Sequence, residues 1–132
     1  MQSQAKEHEL MMQRYQLKVL DLQQVLVVQP WYHSSHPWFK NDTTEQLMMN
    51  ETLSLIRTIG WNIVDGLTLT IRSVDKKNYL SVGQLENIRE IIDDYETKKG
   101  TAVSAVFLSA YKLSSRHRLN MEIFFDRPVF DR

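Results

Sequence analysis

Gln24-Val25-Leu26-Val27-Val28-Gln29-Pro30 places four consecutive apolar residues, three of them β-branched, one residue before a proline. A short apolar run closed by a helix breaker predicts a strand buried on both faces. Strands of that kind belong to parallel sheets covered by helices on either side. The segment from Trp31 to Asn41 then carries Pro37, two histidines and four aromatic residues, a composition that predicts a loop.

Toward the C-terminus, Asp42-Thr43-Thr44-Glu45-Gln46 opens a helix, with Thr43 and Gln46 at capping-box spacing. Met48, Thr52, Leu55, Ile56 and Ile59 fall on one face, and Gly60 supplies the stop. Trp61 to Arg72 is rich in β-formers. Leu67, Leu69 and Ile71 alternate with polar residues there, so one face should be partly wet. After a polar loop bearing Lys76 and Lys77, Ser81 and Gln84 again fit a capping box. Leu85, Ile88, Ile91, Ile92 and Tyr95 form a clean helical stripe that ends at Lys98-Lys99-Gly100. Ala102 to Leu108 predicts a further strand, and Ser114 caps a helix to about Phe125, with Leu113 as a staple. Pro128 to Arg132 reads as a last short strand. Alternating strands and helices imply right-handed crossovers and a single α/β domain, with a mostly parallel sheet of about four strands. Upstream, residues 1–22 are loosely helical and read as an N-terminal extension to a domain spanning 23–132.

The 132 residues suffice for one domain with a real core. Sixteen basic and sixteen acidic side chains cancel, so no global field attracts DNA or a membrane, although a local basic patch remains open. With no cysteine, disulfide and thiol chemistry are excluded. No apolar run is long enough to span a bilayer. The first residues lack a secretory core and are too acidic for a transit peptide. This predicts a cytoplasmic protein, or a form without its targeting segment.

No Gly-x-x-x-x-Gly-Lys-Ser/Thr occurs, and Gly60, Gly66, Gly83 and Gly100 never form Gly-x-Gly-x-x-Gly. No hydroxyl or histidine has a nucleophile context, so no catalytic residue is assigned. His33 and His36 have chelating spacing, but zinc needs more ligands, and the pair reads as part of a polar surface loop rather than a metal site. Trp31, Trp38 and Phe39 are candidate anchors for a protein partner; folding back over the core is the alternative. Asp93, Asp94 and Glu96 sit beside Lys98 and Lys99 and read as a solvated face. Lys112, Arg116, His117, Arg118, Arg127 and Arg132 enrich the last third. Arg116 and Arg118, in the first turn of a helix near the strand ends, suit a phosphate backbone; a solvated helix face is the plainer reading.

Five stretches in order resemble the N-terminal domain of HflX-type ribosome-associated GTPases. They are Val27-Val28-Gln29-Pro30; Glu51 and Leu55 leading into Gly60-Trp61-Asn62-Ile63-Val64; Tyr79 to Ile88; Leu113-Ser114 with Asn120-Met121-Glu122; and Val129-Phe130-Asp131-Arg132. The third is similar to Tyr-Ile-Gly-x-Gly-Lys-Leu-Glu-Glu-Leu, with Ser81 and Gln84 replacing a glycine and the lysine. Ser115 and Asp126 stand where the family has a proline and a glycine. The animal branch of the family is the most similar, which implies a mitochondrial location. The resemblance implies a parallel α/β domain that docks on the large ribosomal subunit. The parent proteins use GTP and magnesium, bound in a following GTPase domain, for ribosome splitting, recycling or subunit assembly.

The chain is therefore expected to be a binding module with no enzymatic activity or cofactor of its own. Its expected contacts with ribosomal RNA or protein are Lys76, Lys77, Gly83, Gln84, Arg116 and Arg118, with neither DNA nor membrane as partner. Alternatives are a protein-interaction module using Trp31, Trp38 and Phe39, or weak nucleotide binding at the strand ends.

Overall fold

A computed structural model describes residues 2–19, 22–110 and 113–132 of the chain; Lys112 lies outside them. The elements are α1 (Gln2–Val19), β1 (Gln24–Tyr32), α2 (Glu45–Ile59), β2 (Asn62–Ile71), α3 (Val82–Thr97), β3 (Ala105–Leu108), α4 (Ser115–Phe125) and β4 (Val129–Phe130). All the pairings are parallel, in the order β2-β1-β3-β4. This is the expected single α/β domain, with an all-parallel four-stranded sheet. No helix among the described residues is long and apolar enough to cross a membrane.

Both faces of β1 are covered, which is why its core needs consecutive apolar residues. Leu26, Val28 and Tyr32 join Leu85, Ile88 and Ile92 of α3 and Met121 and Phe125 of α4 in the larger cluster. Val25 and Val27 turn the other way, to Ile56 of α2 and to Ala105 and Phe107 of β3. At the edge, β2 is only partly covered, and Leu67 and Leu69 supply its half-buried face.

β1 does not stop at Pro30. It continues through Trp31 and Tyr32, which pair with Thr70 and Ile71. The Gln24 and Val28 carbonyls accept from Ser104 N and Ser109 N on the β3 side, each at 2.9 Å. Pro30 has the same parity, so its missing N–H faces that side beyond the last β3 residue, where no ladder bond is lost. The start of α2 also differs from expectation. Thr44, not Thr43, is the cap and accepts from Leu47 N at 3.2 Å, while Gln46 bonds Asn50 and closes no capping box. The stripe facing the sheet is Met49, Thr52, Leu53 and Ile56, which leaves Leu55 and Ile59 exposed. Gly60 ends the helix with φ 90°, as expected. The full capping box of Ser81 and Gln84 and the cap at Ser114 both form. β3 is shorter than the expected strand, pairing only from Ala105 to Leu108.

The N-terminal end of the sheet is closed by buried polar groups. Gln24 N donates to Ser104 Oγ at 2.8 Å, and Ser104 Oγ donates to Gln23 Oε1 at 2.8 Å. Glu96 is not on a solvated face. It accepts from Val103 N at 3.0 Å and pairs with Arg127, and both residues are buried. Arg127 is thereby removed from the surface basic set; it also donates to the carbonyls of Val103 and Phe125, both at 2.7 Å. Burial lowers the Arg127 pKa from its ordinary value, and Glu96 pulls it back up. α1 covers this end, with Leu10 buried, Arg14 3.8 Å from Glu96 and Lys6 Nζ donating to Thr97 O.

Candidate functional site at the strand ends

Helices α2, α3 and α4 all begin at the opposite end of the sheet, following the loops after β1, β2 and β3. Two structures stand there. One is a cavity of about 190 Å³ lined by Trp31, Tyr32, Trp38, Lys40, Ser109 and Arg132, among others. The second is a basic rim on the loop before α3 and the first turn of α4.

The aromatic loop builds much of its own wall. Tyr32 and Trp38 meet edge to face at 5.5 Å, and Trp31 and Phe39 do so at 6.5 Å. Trp38 is partly buried against the larger core cluster, whereas Phe39 is exposed. His36 lies 5.1 Å from both the Tyr32 and the Trp38 rings and accepts from Trp38 N through Nδ1 at 3.0 Å. His33 Nδ1 bonds Ser35, so both histidines shape the turn.

In the basic rim, the loop is held by its backbone. His117 Nε2 donates to Lys76 O and Asn120 Nδ2 donates to Lys77 O, each at 2.7 Å. Asp75 accepts from Lys77 N at 3.0 Å and from Asn78 N at 2.8 Å. The Lys76 and Lys77 side chains are consequently left exposed. Arg116 and Arg118 are exposed as well, and they leave α4 on either side of His117. Among the described residues, no carboxylate lies within ion-pair distance of any of these four cations. Gly83 is exposed, and an added Cβ would meet nothing within 4 Å. The Gln84 side chain is occupied, accepting from Ser81 N at 3.3 Å and donating to Thr70 O at 3.0 Å.

The cavity and the rim share a seam. The Tyr32 and Tyr79 hydroxyls are hydrogen-bonded in the core, and the Tyr79 ring is 5.8 Å from that of His117. Tyr79 adopts a left-handed φ of 69°, uncommon for a bulky side chain. Sequence reasoning did not find this seam, nor that Lys40 and Arg132 line the same cavity. These contacts link residues far apart in the chain, and local periodicity carries no signal for them.

The sequence profile of the GTP-binding GTPase N-terminal domain family matches residues 46–132, from α2 through β4. GTP-binding protein 6 of Xenopus laevis is 29% identical over 91 residues, which cover 68% of this chain. The aligned stretch is 16% of the length of that relative.

Proposed function

The chain belongs to the HflX-type family of GTP-binding GTPase N-terminal domains, and on that premise we propose that it is a ribosome-associated binding module. Its partner in this reading is the large ribosomal subunit, and its contact surface is the basic rim. One observation carries the proposal: Lys76, Lys77, Arg116 and Arg118 are exposed and, among the described residues, have no carboxylate partner, around a loop anchored through its carbonyls. Among the described residues no carboxylate neutralises these four on their rim, an arrangement suited to a phosphate backbone. Gly83 adds an open backbone surface at the start of α3. Gln84 supports the turn from within.

The docking role is the part of the family's GTP-dependent ribosome splitting, recycling or assembly assigned to this domain. None of its four glycines lines a phosphate loop, so in this reading GTP and magnesium belong to the GTPase portion of longer relatives. A mitochondrial setting is proposed on the sequence's resemblance to the animal branch of the family.

The test is co-sedimentation of the purified chain with large ribosomal subunits across a salt series. Binding should weaken steeply with salt, and reversing all four cations to glutamate should reduce it at least ~10-fold and flatten the salt slope. Unchanged binding by the reversed variant would remove the rim from the interface. Salt-insensitive binding abolished by Trp38→Ala would instead favour the aromatic loop as a protein contact.

A further inference from the structure

Between β1 and β3 the chain changes direction across the sheet: β2 was added on one side of β1, and β3 and β4 on the other. In open parallel sheets, the crevice outside the strand ends at such a switch point is where ligands bind. The 190 Å³ cavity stands at this place, between Tyr32 at the end of β1 and Ser109 after β3. It is smaller than the roughly 300–1,000 Å³ of sites that enclose drug-sized ligands, and it suits a single planar ring. Trp31, Tyr32 and Trp38 supply aromatic walls, with Trp31 and Trp38 only partly buried. Lys40 and Arg132 stand at the same cavity, both exposed, with no carboxylate partner among the described residues. The Ser109 hydroxyl, 3.2 Å from Thr52 Oγ1, adds a polar group on the wall.

We propose that this cavity receives one unstacked nucleobase of a single-stranded RNA, with the adjoining phosphate held by Lys40 and Arg132. Aromatic faces beside cations are the means by which proteins grip single strands. Bases in RNA loops and ends can be splayed into such a site, whereas duplex bases cannot. The inference rests on the ribosomal reading and names the element of RNA that the domain holds; the basic rim would take backbone phosphates alone.

Trp61 packs on Phe130 in the smaller cluster, so a Trp61→Phe chain retains Trp31 and Trp38 as its tryptophan reporters. This chain is titrated with a single-stranded oligoadenylate, a duplex RNA of equal length and adenosine monophosphate. The single strand should quench the fluorescence, and the duplex should not. Trp31→Ala should weaken single-strand binding about 10-fold, as should Lys40→Gln with Arg132→Gln, while Trp31→Phe should retain most of it. Equal affinity for adenosine monophosphate and the strand would overturn the RNA assignment in favour of a free nucleotide. Absence of quenching, or full binding by a folded Trp31→Ala chain, would overturn the site itself. Ribosome binding that still depends on the rim cations would then leave the docking role standing.

Discussion

The two ends of the sheet use polar residues in opposite ways. At the N-terminal end, Gln23, Gln24, Ser104, Glu96 and Arg127 are buried or half-buried and bonded to one another or to backbone groups. At the C-terminal end, Lys40, Lys76, Lys77, Arg116 and Arg118 are exposed without ion-pair partners among the described residues. Buried charges are costly unless paired, so the first set is committed to the fold. Exposed cations contribute little to folding and remain available to a partner. On the proposed function, stability and recognition are divided between opposite ends of the same strands.

Substitutions can break or sharpen that division. The largest effect is expected for Glu96→Ala, which strands Arg127 and the Val103 amide. Urea unfolding should show a loss of about 3–5 kcal/mol, with ribosome binding of the folded protein unchanged. A loss below 1 kcal/mol would mean that the closed end is not a stabilising device. Ser104→Ala removes a hydroxyl that joins Gln23 to the start of β1. A cost of about 1–3 kcal/mol in the same assay is expected. Gly83→Ala should act in the opposite sense, because no atom obstructs the new methyl group. A gain of up to about 1 kcal/mol is expected from helix propensity. Co-sedimentation should weaken, because the methyl group would stand between the Gly83 backbone and a partner docked on it, and unchanged binding would remove Gly83 from the contact surface. Reversing Lys76, Lys77, Arg116 and Arg118 should shift stability least, by about 0.5 kcal/mol or less, despite the expected loss of ribosome binding.

Much of the fold was legible because the signals were local. The apolar run at Val25–Val28 needed only its neighbours to indicate a strand covered on both faces. Ser81 with Gln84, Ser114 and Gly60 announced helix ends through hydrogen bonds that span a few residues. The misreadings arose where distant partners decided the outcome. Pro30 was tolerated within β1 because β3 ends early on its N–H side. Glu96, read as part of a solvated face, and Arg127, counted among the basic residues of the last third, lie 31 residues apart and were buried together by the packing of α3 against the chain before β4.

The candidate site divides along the same line. The sequence by itself determined the order of strands and helices, the residue types at the strand ends and the family resemblance, because each is written in contiguous residues. Tertiary structure alone decided that His117 and Asn120 anchor the Lys76–Lys77 loop, that Tyr32 meets Tyr79, and that Lys40 and Arg132 share one cavity. Parallel crossovers bring the end of each strand beside residues dozens of positions away, and only that juxtaposition turns separate side chains into a surface.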